Sequence, residues 1–370
     1  MSNNNITLKQ NRDLGMDCLR ILSMLMVLIL HLIMPGGIQA SLRSFSVEYY
    51  AVHYLLVLCF CAVDCFALLS GYMGCQAHFS YRKIWKLWTQ VAFYTISLFL
   101  IAHLLQWNAK VTYTELLKAF FPITSRHYWY VSAYFWLCIT MPLCNYLLLQ
   151  CDKIYIKNFL WGFFLLWCIV SQIPLLSDSL EELHRGFCGT WIIYMYMLGG
   201  FIRRYGFRSL IPNCIVSRFF LMSQQSPSRR WYFIFYLCFA TLAWFFATWT
   251  PYLSSKFLHH ELRYYRMVNY ISPAMVFMSV CLLAFFRNLS IYRRCQPWIS
   301  FFASTSFAVY LIHCEDHVLE LLTGAFSAIG KWPCYYSLPA IIFIAILIFV
   351  GCSCMDYSRQ LIWSFFIHRK

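Results

Sequence analysis

Runs of about twenty residues with almost no charge recur along this chain, and a run of that length, wound as a helix, crosses ~30 Å of hydrocarbon. Lipid offers no partner to an exposed peptide group, so each run must satisfy its own backbone hydrogen bonds. The expected fold class is therefore all-α, a polytopic integral membrane protein. Ten spans can be drawn, at about 16–36, 50–73, 85–106, 127–149, 157–176, 188–206, 231–249, 267–286, 298–319 and 336–356. Only 12% of the residues are charged, against about 25% in an ordinary globular domain. That composition excludes a soluble enzyme, a nucleic-acid module, a disordered chain and a secreted disulfide scaffold.

The formal charge of +15 is first a topology signal, because short cytoplasmic loops collect Lys and Arg. With the N-terminus inside, the inner ends hold Lys9, Arg12, Arg82, Lys83, Lys86, Arg203, Arg204, Arg293, Arg294 and Arg359, among most of the 29 Lys and Arg. Both termini are thus expected in the cytoplasm. A single membrane domain is expected over 1–370, with a cytoplasmic leader at 1–15 and one long cytoplasmic loop at 207–230. Within that loop Ile215 to Met222 reads as an interfacial helix, followed by a polar hinge. The first span lacks a cleavage site and is expected to remain in the mature protein.

Of the 18 cysteines, most lie in apolar runs, where a thiol packs as a small hydrophobe. No C-x-x-C pair occurs, and Cys352 with Cys354 has no histidines at zinc spacing. Neither a metal site nor a tightly bound cofactor is expected.

An ionisable side chain at the centre of a span costs about 2.5 to 3.5 kcal/mol even on the lenient insertion scale, so the few that occur carry information. The first span holds Asp17, Arg20 and His31, the second Asp64, and the ninth His313, Glu315, Asp316 and His317. Arg20 and His31 are eleven residues apart, about three turns, which puts both on one face with ~16 Å of axial separation. Counting rise per residue sets His31 and His313 at one depth, each ~22 Å from the inner side, and Asp64 ~13 Å from it. Two histidines at one level, with a carboxylate between them and an arginine, outline a channel.

Several strings around these residues have a recognisable order. Asp17-Cys18-Leu19-Arg20, then ten residues, then His31, resembles the opening of the membrane acyltransferase 3 family. Val63-Asp64-Cys65-Phe66-Ala67-Leu68-Leu69-Ser70-Gly71-Tyr72 is similar to that family's V-D-x-F-F-x-x-S-G-F segment. Arg82-Lys83-Ile84-Trp85-Lys86 stands where the family has two arginines separated by two residues. His127-Tyr128-Trp129-Tyr130 and Ser306-Phe307-Ala308-Val309-Tyr310-Leu311-Ile312-His313 complete the series, which covers essentially the whole chain. The departures are Cys65, Tyr72, Lys83 and Lys86; a lysine is a point charge that does not fork onto phosphate as arginine does.

The resemblance implies transfer of an acyl group, most often acetyl, from cytoplasmic acyl-CoA to a hydroxyl of an envelope carbohydrate, in the cytoplasmic membrane of a bacterium. Such transfer needs a base, an anion site and an oxyanion stabiliser. His31 suits the base, with Asp64, Tyr310 and His313 as further catalytic candidates. Arg20, Arg82, Lys83 and Lys86 are candidates for the CoA phosphates, and Ser70 and Gly71 for the donor site, where a small residue lets the second span turn. Asp64 is expected to orient the channel through Arg20 or neighbouring Tyr and Ser. Trp129, Tyr130 and Glu315 are candidates for contacting the carbohydrate acceptor. The expected partners are membrane lipid, acyl-CoA and that acceptor, with no nucleic acid. A transporter or flippase would use similar intramembrane charges, with a midplane carboxylate such as Asp64 at its centre.

Overall fold

Asp13 opens the first helix: its carboxylate accepts a hydrogen bond from the Met16 amide at 3.2 Å, and α1 then runs over Leu14–Ile33. Pro35, Gly36 and Gly37 stop it, with Gly37 in the left-handed region at φ 86°. In this computed structural model the described residues are 12–76, 80–105, 113–123, 128–173, 185–211, 228–258 and 268–367. His127 and the interfacial helix expected at Ile215 to Met222 lie outside them.

Every described element is helical. After α1 come α2 (Ile38–Ser41), α3 (Val47–Phe60), α4 (Ala62–Gly74), α5 (Tyr81–Leu104), α6 (Tyr113–Phe120) and α7 (Trp129–Gln150). Then follow α8 (Lys153–Phe163, continued by a π-helical turn), α9 (Gly189–Tyr205), α10 (Arg229–Leu258), α11 (Pro273–Arg287), α12 (Gln296–His313), α13 (Asp316–Leu322) and α14 (Cys334–Ile367).

Among the described residues, seven helices are long and apolar enough to cross a membrane: α1, α3 with α4, α5, α7, α8 with its extension, α10 and α14. The chain is thus a multi-pass membrane protein, and seven of the ten spans drawn from the sequence fall on these helices. The other three places hold α9, α11 and α12, of 17, 15 and 18 residues. The physical reason is their surroundings. Most of α9 is buried, from Trp191 to Ile202, and α12 carries Thr305 and Ser306 buried inside the protein, so these helices are clad by other helices rather than by lipid. Residues such as Phe159 of α8, Leu242 of α10 and Phe343 of α14 stand exposed, as lipid-facing side chains do.

Two expectations are corrected. The second span is not one helix, since Cys61 departs from helical geometry between α3 and α4. The break sets Asp64 in the first turn of α4, where the helix N-terminus favours a carboxylate. The ninth span stops at His313, and Glu315 caps the separate helix α13.

Helix α1 packs against α3, α4, α11, α12 and α14. Beside it α4 and α9 form an extensive pair whose approach rests on two glycines. A methyl group on Gly71 would fall against the backbone carbonyl of Tyr196, and one on Gly199 against that of Leu68. Small residues at such a crossing let two helix backbones touch. Gly71 therefore serves this contact inside α4, which continues to Gly74, and does not turn the chain beside a donor site as expected.

Gly71→Ala is predicted to lower stability by about 1–3 kcal/mol, the usual cost of overpacking. Gly162→Ala, where nothing lies within 4 Å, leaves stability unchanged or slightly raised. Thermal unfolding midpoints of the lipid-embedded variants check both.

Candidate active site

The eleven-residue spacing of Arg20 and His31 does what helix geometry requires: both side chains line one cavity, of about 510 Å³, beside α1. Ser70 of α4, Trp129, Tyr130 and Tyr134 of α7, and Ser304 and Tyr310 of α12 complete much of its wall. Six residues singled out in the sequence thus meet in one space.

Arg20 anchors one end. Its Nη1 donates to Asp17 Oδ1 at 3.0 Å, and Arg12 binds the other oxygen of the same carboxylate. A guanidinium has five N–H donors, so the Asp17 contact leaves most of them for a ligand. His31, half-buried, stands toward the opposite end. Its ring lies 5.1 Å from that of His313, centroid to centroid. His313 is buried and directs Nδ1 at the carbonyl of Val309, 2.5 Å away, one helical turn back. That bond places the proton on Nδ1 and leaves Nε2 as an acceptor. Between the two rings sits Cys314, with Sγ 3.2 Å from His313 Nε2 and 3.5 Å from His31 Nδ1.

The aromatic side of the cavity is built by stacking. Trp129 lies over Tyr270 with centroids 5.8 Å apart, and Tyr130 over Tyr134 at 6.0 Å. Tyr130 also meets Tyr310 edge-on. The Tyr128 hydroxyl donates to the Leu311 carbonyl at 2.8 Å, which ties the start of α7 to α12 and fixes these rings beside the histidines.

A second cavity, of about 550 Å³, opens beside the first and shares Ser304 with it. Its wall includes Lys86 and Phe93 of α5 and Arg359, Gln360 and Trp363 of α14. Arg359 is held by buried Asp356, which accepts from Arg359 Nε at 2.7 Å, Gln360 Nε2 at 2.7 Å and the Tyr94 hydroxyl at 2.6 Å. Arg82 and Lys83 are exposed at the start of α5 and do not line either cavity.

Three expected site residues stand elsewhere. Asp64 is fully buried and turns from Arg20 toward α9, where the Trp191 indole donates to Oδ1 at 2.8 Å. Gly71 belongs to the helix contact described above. Glu315 accepts from the backbone amides of His317 and Val318 and from His317 Nδ1, so its carboxylate is engaged in capping α13 rather than facing the cavity. Trp191, Cys314, Tyr270 and Arg359 were not anticipated. The signal for Trp191 is its indole N–H in an apolar run, because a buried Trp seeks an acceptor. Cys314 stood next to His313 in the sequence but read as packing.

The sequence model of the acyltransferase 3 family, described as an acyltransferase domain, matches residues 13–357, and the chain belongs to that family. No curated protein and no solved structure matches it. The family makes this protein a membrane acyltransferase, and the cavity between α1 and α12 is the candidate for its chemistry.

Trp191→Phe is predicted to destabilise the protein by about 1–3 kcal/mol, since it strips a buried carboxylate of its donor. The loss shrinks when Asp64→Asn is combined with it, which a double-mutant cycle on thermal unfolding detects.

Proposed function

We propose that the protein transfers an acyl group, acetyl above all, from acyl-CoA to a hydroxyl of a cell-envelope carbohydrate, with His31 as the base. The observation that carries this reading is that Ser304 lines two adjacent cavities. One cavity is cationic and aromatic-walled, and the other has Arg20 and His31 in its wall, with His313 behind His31.

The charged nucleotide end of the donor suits the second cavity. Lys86 and Arg359 offer charge-assisted bonds to phosphates, and Phe93 and Trp363 offer faces to a purine. Arg20 adds a donor in the wall of the first cavity. The pantetheine arm then follows α1, whose rise from Arg20 to His31 is ~16 Å. On this account Lys86 takes over for the arginine pair of the family pattern, with Arg359 supplying the planar fork that lysine lacks.

At the far end the acceptor stacks on Trp129 and Tyr130, whose faces suit a sugar ring. His31 takes the proton of the acceptor hydroxyl as its oxygen attacks the thioester carbonyl. The Tyr310 hydroxyl stabilises the oxyanion, the C–S bond breaks, and the CoA thiolate takes the proton back from His31. The products are an ester and free CoA. His313 and Cys314 hold the His31 ring from behind. The donor cavity faces the cytoplasm and the protein lies in the cytoplasmic membrane of a bacterium, in keeping with the bias of Lys and Arg toward that side.

A transport reading is less well supported, because it calls for a carboxylate on the pathway, and Asp64 is turned away from the cavity onto Trp191.

His31→Ala is predicted to lower acceptor-dependent release of CoA from acetyl-CoA by roughly 10²–10⁴-fold, the range of a lost general base. Purified protein in lipid with an envelope-glycan extract provides the assay, and undiminished turnover overturns the assignment. Lys86→Glu is predicted to raise KM for acyl-CoA by roughly tenfold with kcat little changed, as expected when binding shared by ground and transition states is removed.

A further inference from the structure

We propose that His31, His313 and Cys314 form a binding site for a soft metal ion, Zn²⁺ in particular, that occupies the rear of the catalytic base and switches it off. His31 and Cys314 are separated by 283 positions in the chain, so no spacing motif announces the cluster, and the expectation of no metal ligands came from such motifs alone.

The three donor atoms already stand close to the geometry that zinc imposes. All lie within 4.8 Å of one another, and Cys314 Sγ is 3.2 Å and 3.5 Å from its two nitrogen neighbours. With Zn–N near 2.0–2.1 Å and Zn–S near 2.3 Å, the edges of a tetrahedron are about 3.4–3.6 Å. Two imidazoles and a thiolate are also the ligand types that zinc selects over magnesium or calcium. His313 has the outer support typical of a metal-bound histidine: Nδ1 donates to the Val309 carbonyl, which fixes the ring and leaves Nε2 to bind.

Access and closure are both provided. His313 and Cys314 are buried, whereas His31 lines the 510 Å³ cavity, which gives the ion a route in and its fourth ligand, a water, a place to sit. Binding converts the Cys314 thiol to thiolate and releases one proton.

The consequence for transfer rests on His31 being the base, as proposed above; binding itself rests only on the donor set. When Nδ1 of His31 holds the ion, the ring's remaining nitrogen carries the proton and has no lone pair for the acceptor hydroxyl. Zinc then inhibits, and a chelator restores activity.

The test is zinc X-ray absorption on the intact chain in lipid nanodiscs loaded with one equivalent of Zn²⁺, together with zinc affinity for the wild type and Cys314→Ser. The expected spectrum has one sulfur at about 2.3 Å and two imidazole nitrogens at about 2.0 Å, and Cys314→Ser loses the sulfur and binds at least about tenfold more weakly. A bound ion with no sulfur neighbour overturns the proposal, as does the absence of stoichiometric binding. The wild-type spectrum decides even if the variant fails to fold. It requires no turnover, so a protein that binds zinc in this way yet transfers no acyl group counts against the proposed function and not against this site.

Discussion

A polar group inside a bundle of apolar helices has no water to fall back on, and each must find its partner in the protein or cost several kcal/mol. The arrangement of this protein follows from that demand. One oxygen of Asp64 is met by Trp191, Asp17 by Arg12 and Arg20, and Asp356 by Tyr94, Arg359 and Gln360. Each pairing ties helices or fixes a cation, so the same contacts that make the charges tolerable also set the shape of the cavities. The histidines are the exception in kind. His313 Nδ1 is held by the Val309 carbonyl, while its Nε2 and His31 Nδ1 share a single thiol, that of Cys314.

The helix pairs divide this work. The α4–α9 contact, close enough to need Gly71 and Gly199, carries the Asp64–Trp191 bond and makes a rigid wall. Across α1, the α12 helix brings Tyr310 and His313 to His31, and α14 brings Arg359 to the side of Lys86. Ser304 lines both cavities, and on the proposed reading the charged head of the donor takes one and its arm the other. Trp129, Tyr130 and Tyr270 give another side of the first cavity its aromatic faces.

Much of this was legible in the sequence, because helical rise and periodicity give a residue's depth and face directly. The eleven-position spacing of Arg20 and His31 fixed their common wall, and counting from the span ends put His313 at the level of His31. What periodicity does not give is which neighbour a face meets. Asp64 lay at a depth between Arg20 and His31, yet it points to α9, since α4 packs there through its glycines. The partner, Trp191, was hidden among apolar residues. Arg359 read as one more cytoplasmic charge, and only its fixation by Asp356 on the same helix sets it at the mouth of a cavity. Cys314 was one of 18 cysteines, and its place between two rings depends on α12 ending at His313, which periodicity alone does not show.

The most direct test of the central claim is a structure of the protein in lipid with a non-transferable thioether analogue of acetyl-CoA. The account predicts the nucleotide against Lys86, Arg359 and Trp363, the arm running past Ser304 and Arg20 along α1, and the acyl carbon beside His31. An analogue seated with its phosphates at the Trp129 and Tyr130 end, or bound outside both cavities, would contradict it.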